Sequence, residues 1–456
     1  MSNEYFCCSS LYSLTIPNSV TTIGDFAFSG CSGLTSVMIP NGVTTIDEYV
    51  FFNCSSLASV TIPEGVITIG NSAFSGCSSL TSVAIPDGVI TIGSHAFSSC
   101  NSLTSVTIPE SVTSIGDSAF SYCGSLTSVA IPDGVNSIGK YAFYNCSGMT
   151  SVTIPESVTS IGDSAFSGCS SLISVVIPNS VTFIGGSTFS GCSNLTSVTI
   201  PNSVTLIGAT AFYSCSSLKD LTIEDCEETL VTSMGLFDGC PLESVYLGRN
   251  LKSEFSSPFY RTQIKSLTIG ECVTSIENSA FSGCSSLTSV IIPNSVISIG
   301  KNAFYGCSSL SSVIIPKSVT SIDGGAFSGC GSLAEITSLN TVPPVITEDT
   351  FDSKHYIYSI LKVPANSLEA YKTAEGWMSF WNIVSDAGID GVEDNAVNVT
   401  AREGKILVEG IDGVVAVEVY NLSGQLVYGG TETVIGGLAK GVYIVRAGGQ
   451  TFKVAL

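Results

Sequence analysis

Cysteine is the residue type with the most chemical potential in this chain, and its spacing is regular. Of the 17 cysteines, ten stand 23 residues apart from Cys8 to Cys215, and the same step resumes from Cys284 to Cys330. Thiols can form disulfides, bind soft metals or act as nucleophiles. No Cys-x-x-Cys pair occurs, although metal and redox sites commonly use one. The uniform step therefore indicates a repeated structural position.

We predict that these cysteines form a row of free, buried thiols. If each 23-residue repeat forms one coil of a stacked fold, equivalent cysteines on neighbouring coils would have suitable Cα spacing for a disulfide. Their Cβ directions would be parallel, however, which is poor geometry for a bridge. A buried thiol behaves as a small apolar side chain. Bridges between neighbours remain the alternative, and the off-register Cys7, Cys226 and Cys272 are better candidates for oxidation. Fourteen cysteines hold the repeat position: Cys8, Cys31, Cys54, Cys77, Cys100, Cys123, Cys146, Cys169, Cys192, Cys215, Cys240, Cys284, Cys307 and Cys330.

The other reactive residue types form no catalytic constellation. The only histidines, His95 and His355, stand 260 residues apart in the sequence. The chain has no His-Glu-x-x-His, Walker or Gly-x-Ser-x-Gly motif, and its abundant serines stand in no recognisable motif with a base. We therefore expect a protein that is not an enzyme and needs no cofactor.

The charge balance is acidic, with 37 acidic and 16 basic residues and a net charge of −21. Nucleic acids and anionic membranes require clustered Lys and Arg, so neither is an expected partner. In five successive repeats, one acidic residue directly follows the proline of the Ile-Pro pair. This row could attract calcium or a basic partner, or it could be a solvated loop edge multiplied by repeat duplication. Its members are Glu64, Asp87, Glu110, Asp133 and Glu156.

An apolar triplet keeps the same step as the cysteines. Leu34, Val37 and Ile39 recur in fifteen copies between Leu11 and Leu333, and the degenerate copies between residues 218 and 287 keep the phase. A period of 20–29 residues with this spacing is the signature of a leucine-rich-repeat solenoid. We predict a β-rich (α/β) solenoid of about fifteen coils of 23 residues.

The unit "TSVTIPESVTSIGDSAFSGCSSL", residues 150–172, predicts the elements of one coil. Val152 and Ile154 alternate and favour a short strand with both side chains inward, and Pro155 should end it.

The second half of the unit should return the chain to the next coil. Gly162 should permit a bend, and Asp163 should cap one helical turn. Phe166 and Cys169 should fill the wall opposite the strands. Because one unit cannot bury these residues alone, the coils must stack into a continuous core.

The unit "LTSVTIPxSVTSIGxxAFSGCSS" resembles the BspA-like leucine-rich repeats of bacterial surface proteins over about residues 5 to 340. The resemblance implies an extracellular or cell-surface location and attachment to host matrix proteins or other cells. The commonest leucine-rich repeats carry an inward Asn after the strand, whereas this chain has Ser or Gly, as at Gly42, Gly65 and Ser157.

Composition divides the chain into three predicted parts: a solenoid (1–340), a capping segment (341–388) and a small all-β sandwich (389–456). Trp377 and Trp381 should seal the end of the solenoid, although they could instead form an aromatic ligand platform. The tail "VEVYNLSGQLVY…GLAKGVYIVRAGGQTFKVAL" is similar to the C-terminal sorting domain of proteins exported by the type IX secretion system.

The start of the chain and the length of its apolar runs bear on export and membrane insertion. The sequence begins in the middle of a coil, without the apolar core of a signal peptide, so we expect the true start to lie upstream. No run approaches 18 apolar residues, so we expect no membrane span.

These features predict a non-catalytic, monomeric cell-surface or secreted binding protein. Its partner would be a host matrix protein, another cell-surface protein or a glycan. A structural spacer or surface-layer rod without a specific ligand is the alternative, because the solvent face of the strands is small and uniform. That face carries Thr35, Ser36, Thr61, Ala84, Thr107, Ala130, Thr153 and Thr199.

The most irregular segment, residues 224–263, is the candidate partner site. A binder made of duplicated coils gains specificity where the coils differ, and aromatic and Arg residues are enriched at the energetic centres of interfaces. The alternative is a pair of degenerate coils with no partner. The candidate residues are Arg249, Lys252, Phe255, Phe259, Tyr260 and Arg261.

Overall fold

The computed structural model describes residues 9–253, 257–386, 398–402, 405–409, 416–421, 425–439, 441–447 and 450–455. The repeats form a β-solenoid of about fifteen turns of roughly 23 residues, as predicted. Each regular coil has three sides: a first strand, a second and shorter strand, and a turn segment that leads into the next coil.

The first row of strands lies where the Val-x-Ile pattern predicts it. Val152 and Ile154 are both buried, and the strand ends before Pro155. Pairing is parallel and joins equivalent residues, such as Val129 with Val152. The strands of this row are Ser36–Met38, Ser59–Thr61, Ser82–Ala84, Ser105–Thr107, Ser128–Ala130, Ser151–Thr153, Ser197–Ile200, Asp220–Ile223, Ser244–Leu247, Ser266–Ile269, Val290–Ile291, Ser312–Ile315, Glu335–Ser338, Ile360–Pro364 and Asn382–Asp386.

A second row of strands, which the sequence analysis did not predict, forms another side of the solenoid. Its members are mostly two residues long and also pair in parallel, as Ile161 does with Ile138 and Ile184. The strands are Thr45–Ile46, Thr68–Ile69, Thr91–Ile92, Ser114–Ile115, Ser137–Ile138, Ser160–Ile161, Phe183–Ile184, Leu206–Ile207, Leu230–Thr232, Leu251–Ser253, Ser275–Ile276, Ser298–Ile299, Ser321–Ile322 and Val345–Ile346.

The turn segment corrects the predicted helical turn. The N–H groups of Ser164, Phe166 and Gly168 donate to carbonyl groups of the following coil, at 2.7 to 2.9 Å. Alternate N–H groups therefore point into the next coil, which a helical turn does not allow. Asp163 is not a helix cap, because its Oδ1 accepts the N–H of Gly186 in the next coil at 2.8 Å.

One continuous apolar core runs through the solenoid from Ile23 to Phe380. Its centre is a column of fifteen Phe rings from Phe28 to Phe351, stacked at centroid distances of 5.3 to 6.0 Å. Beside this column, repeat thiols donate to Phe carbonyl groups of the preceding coil, as Cys169 does to Phe143 at 3.3 Å.

A capping segment with two short helices, Ser353–Tyr358 and Leu368–Thr373, covers the end of the solenoid. Two 3₁₀ turns, Ala365–Ser367 and Trp377–Ser379, flank the second helix. Trp377 is fully buried and its Nε1 donates to the Pro344 carbonyl at 2.7 Å, as expected of a seal.

The C-terminal part is a small antiparallel β region of two sheets around a separate core that includes Val417, Val419 and Val445. Its strands are Asn398–Arg402, Lys405–Glu409, Val417–Asn421, Leu426–Gly430, Val434–Ile435, Val442–Ala447 and Gln450–Ala455. Within the described residues, no helix is both long enough and apolar enough to span a membrane.

Candidate functional site on the turn edge

The outer face of the first strand row is small and polar, as predicted, and a few apolar side chains interrupt it. The strand burial patterns place Ser36, Thr107 and Thr153 on the exposed face. Met38 and Val176 are exposed by 70% and 77%, each isolated among hydroxyl side chains. This face is long, but it carries few of the aromatic and Arg side chains that usually anchor a partner.

A cleft of about 600 Å³ lies between this face and the C-terminal β region. Its lining combines hydroxyl side chains of the strand face with Tyr420, Asn421 and Arg446. Tyr246 also reaches it, and the phenol donates to the Asp225 carboxylate at 2.6 Å. Lys265 in the lining is already paired with Glu243 at 2.8 Å.

The turn edge of the solenoid differs from the strand face because its side chains change from coil to coil. We define it by three positions in each coil: two residues before, one after and two after the stacked Phe. In most coils the first and third positions have a left-handed backbone. The 17 non-glycine residues with positive φ all stand at these positions, and their φ values lie between 54° and 60°. Most coils place Ser, Asn or Gly there, of which Gly and Asn tolerate this conformation best.

Several coils place an aromatic ring on the turn edge instead. The six most exposed rings have 39% to 50% of their surface in solvent: Phe26, Tyr122, Tyr141, Tyr213, Tyr260 and Tyr305. Phe52, Tyr49 and Tyr144 are half-buried members of the same positions. A bulky side chain is unfavourable in the left-handed region. Core packing does not explain these rings, because they point away from the core.

Six of these rings form two clusters, and two rings of each cluster, Tyr49 with Phe52 and Tyr141 with Tyr144, hold equivalent positions four coils apart. In the first, Phe26 and Tyr49 stack at 4.6 Å, and Phe52 meets Tyr49 edge-on at 5.5 Å. In the second, the Tyr144 ring lies 5.3 Å from Tyr122 and 5.6 Å from Tyr141, at 81° to each. Edge-to-face contacts of this kind are favourable and fix ring orientation.

The structure separates the candidate residues of segment 224–263. Arg249 is fully buried, with its Nη2 donating to the Pro201 carbonyl at 2.8 Å, so it cannot contact a partner. Phe259 belongs to the buried Phe column. Lys252 is exposed in the second strand row, and Phe255 lies outside the described residues.

Tyr260 and Arg261 are the members of that segment that reach the turn edge. The Arg261 guanidinium lies over the Tyr260 ring at 5.1 Å, and Arg261 has the left-handed backbone of the third position. Trp381, predicted to seal the solenoid with Trp377, is instead 75% exposed, and Phe380 is buried in its place.

No group of three or more His, Cys, Asp or Glu side chains is placed to hold a metal ion in the described part of the chain. His355 is buried, and its Nε2 lies 2.8 Å from the Cys330 carbonyl. Burial raises the pKa of the Cys146 and Cys192 thiols to about 12, so both are neutral and poor nucleophiles at neutral pH.

Of the turn edge, the sequence-based candidates include only Tyr260 and Arg261. The signal was available in the two residues that follow each repeat Phe, where Tyr144, Tyr213 and Tyr305 replace the usual Ser. What the sequence did not show is that these positions line up along one edge.

Parallel strand rows, regularly repeated coils and a continuous apolar core define a leucine-rich-repeat solenoid, a class whose repeats generally act as interaction modules. The chain belongs to the BspA type leucine-rich-repeat family, because the BspA type leucine rich repeat region (6 copies) matches residues 1–127, 113–243 and 230–358. No curated protein matches the chain.

A solved structure supports the same architecture. A leucine-rich repeat protein from Bacteroides ovatus ATCC 8483 is 29% identical, with a TM-score of 0.56 over 83% of this chain and 92% of that chain. A leucine rich cell surface protein from Faecalibacterium prausnitzii A2-165 is also 29% identical, with a TM-score of 0.34 over 72% of this chain and 87% of that chain.

Proposed function

We propose that this chain is a non-catalytic cell-surface or secreted binding protein whose turn edge contacts the partner. The partner class is a host matrix protein, another cell-surface protein or a glycan. Membership of the BspA type family supports a repeat scaffold. The observation that carries the proposal is the collection of half-exposed, coil-specific aromatic rings on one edge of an otherwise uniform solenoid.

The turn edge meets two requirements of a binding surface. Its rings are the residue type enriched at interface hot spots, and neighbouring rings and the inter-coil hydrogen bonds of the turn hold them in place. Tyr260 and Arg261 extend this edge into the irregular coils, and Lys252 is a third, separate candidate contact there. The C-terminal β region, which resembles a sorting domain, would serve export or anchoring.

The test is attachment of beads coated with the chain to immobilised matrix proteins and to a glycan array. In the edge variant, each turn-edge aromatic becomes the Ser, Asn or Gly of a neighbouring coil. We expect its attachment to fall about ten-fold or more, since hot-spot side chains dominate affinity. Val176→Thr, which restores the repeat residue on the strand face, should leave attachment unchanged.

A second variant tests the irregular coils. Residues 224–269 span 46 residues, so two regular 23-residue coils can replace them without a change of phase. Unchanged attachment would remove Lys252, Tyr260 and Arg261 from the binding site. If the intact protein binds no matrix protein and no glycan, the proposal fails and the chain is a spacer.

A further inference from the structure

We propose that the turn edge recognises a neutral polysaccharide and that Tyr122, Tyr141 and Tyr144 form its main contact site. This inference rests on the proposed function, in which the turn edge is the binding surface, and it names the chemical class of the ligand. It goes beyond the family match, which assigns no ligand and no residues.

The three tyrosines form a rigid platform. The backbone N–H of Tyr141 donates to the backbone carbonyl of Asp163 at 2.9 Å, and the backbone N–H of Tyr122 donates to the backbone carbonyl of Tyr144 at 2.6 Å. Both residues have the left-handed backbone, and the ring of Tyr144 packs edge-on against both rings. A surface ordered before binding loses little conformational entropy when a ligand arrives.

The chemistry of the platform suits a sugar ring. About half of the Tyr122 and Tyr141 surface is exposed, 48% and 44%. The faces of aromatic rings carry negative charge density, which attracts the slightly positive C–H groups on the face of a pyranose. Phenol hydroxyls both donate and accept hydrogen bonds, and so do sugar hydroxyls. Asn145, also on the turn edge, adds an amide beside the rings.

The charges around the platform favour a neutral glycan over an acidic one. The nearest cation, Lys140, is paired with Asp163 at 3.0 Å, and the Asp117 carboxylate accepts the Lys140 backbone N–H at 2.7 Å. Lys140 is the only Lys or Arg in residues 9–218, so apart from the exposed His95 one coil earlier no basic group of the described residues lies near the platform to neutralise a sulfate or uronate. The net charge of −21 also repels anionic polymers at long range.

The arrangement of the clusters favours a polymer over a folded protein. Tyr49 and Phe52 of the first cluster hold the positions that Tyr141 and Tyr144 hold four coils later, a distance of about 20 Å at strand spacing. Between the clusters the turn edge carries Ser72, Ser99 and the exposed His95, without an aromatic cluster. A protein partner needs one contiguous patch with a surrounding rim, whereas a repeating polymer can contact separated equivalent sites and gain affinity from both.

The test is affinity electrophoresis of the full chain in gels that contain one soluble neutral polysaccharide each: starch, β-glucan, xyloglucan or galactomannan. Dextran sulfate is the anionic comparison. The test variant is Tyr122→Ser/Tyr141→Ser/Tyr144→Ser, in which each new Ser matches the residue one coil earlier, Ser99, Ser118 and Ser121. Val176→Thr is the control, and circular dichroism verifies that every variant is folded.

We expect at least one neutral polysaccharide to retard the native chain and the control equally, with affinity of the triple variant lower by about ten-fold or more. Retardation by dextran sulfate alone, no retardation by any of the four, or equal retardation of the triple variant would overturn the inference. If the edge variant loses attachment to a matrix protein while no polysaccharide binds, the proposed function stands and the glycan assignment fails. If the triple variant unfolds, Tyr122→Ser alone replaces it, with the same expected loss and the same overturning results.

Discussion

At the scale of single residues, each core side chain contacts equivalents on both neighbouring coils. The Phe166 ring lies 5.4 Å from that of Phe143 and 5.6 Å from that of Phe189, and it is fully buried. Removal of one ring therefore damages two interfaces. Tyr213, next to the equivalent Phe212, is 46% exposed and contributes little to this core.

We expect Phe166→Ala to cost about 3–5 kcal/mol of local stability, because it leaves a cavity in the Phe column. The damage should spread a coil or two and leave distant coils folded, since contacts run between neighbours. Hydrogen exchange measured coil by coil should locate it. Tyr213→Ser, the control, should cost less than about 0.5 kcal/mol. Uniform loss of protection along the chain would contradict the prediction.

The repeat thiols should be inert in the folded protein. At about pH 8, iodoacetamide should modify Cys226 and Cys272, which are partly exposed, and leave buried thiols such as Cys169 unmodified. Burial raises the pKa of Cys169 well above its usual value. After denaturation without reductant, at least the fourteen repeat cysteines should react. A disulfide between Cys100 and Cys123, seen by peptide mass spectrometry, would exclude the thiol row.

At the scale of elements, the glycine that precedes the turn in most coils allows close approach of the coils. An added Cβ at Gly162 would lie 2.9 Å from the backbone of Gly139 and Lys140. The lack of space for a Cβ, rather than a left-handed backbone, favours glycine here, because the φ of Gly162 is not positive. A Cβ at Gly124 would meet only the Ser147 hydroxyl, at 3.5 Å.

Gly162→Ala should lower stability by about 1–3 kcal/mol, because neighbouring backbones must move apart. Gly124→Ala should be neutral or stabilising by up to about 1 kcal/mol, because it restricts only the unfolded chain. Hydrogen exchange of the coils around each position measures both. Equal effects of the two substitutions would show that coil spacing is not the constraint.

The capping segment should lose stability in acid through His355. The Asp352 backbone N–H donates to its Nδ1 at 3.1 Å, so Nε2 carries the proton and donates to the Cys330 carbonyl. Burial lowers the pKa of His355 below its usual 6.5; Lys354 acts in the same direction, while the Cys330 carbonyl and Asp352 oppose it.

Because the folded imidazole resists protonation, its stabilising contribution is complete above pH 6.5 and is lost as pH falls from 6.5 toward the lower folded pKa. We expect protection of the helix Ser353–Tyr358 against hydrogen exchange to fall in this window, after correction for intrinsic rates. His355→Gln should flatten this dependence. The same pH dependence in both proteins would assign the effect to other groups.

At the scale of the whole molecule, the solenoid is one core built from interchangeable units. Register is preserved in the irregular coils, where Ile223, Leu247 and Ile269 pair although the two sequence intervals between them are unequal. The length of a coil can therefore vary in its loops, provided that each strand meets its equivalent. The fold therefore requires equivalent strands to stay in register and does not require every coil to have the same length.

Deletion of one complete coil, residues 147–169, joins Cys146 to Ser170 in phase. This variant should fold, with a cooperative melt near that of the parent and a scattering-derived length shorter by about 5 Å. Deletion of residues 147–158 alone leaves half a coil at the junction, so the coils on its two sides cannot pair in register and the cooperative melt of the solenoid should be lost there. Similar melts for the two deletions would refute the phase argument.

The sequence by itself determined the solenoid, because the regular period of Cys, Phe and the apolar triplet has one simple way to be buried: stacked coils. It also determined the inward strand positions and the burial of Phe166 and Cys169. These features depend on side-chain type and spacing, which sequence records directly.

Only the tertiary structure decided how the return half of each coil is built and where the coil-specific residues lie. The turn is a hydrogen-bonded ladder because the Ser164 N–H finds its acceptor, the Gly186 carbonyl, in the following coil, a partner invisible in a local pattern. The candidates Arg249 and Tyr260, close in the sequence, point to opposite environments, one buried and one exposed. Three tyrosines that look like scattered substitutions at positions 122, 141 and 144 become one platform because stacking places successive coils side by side.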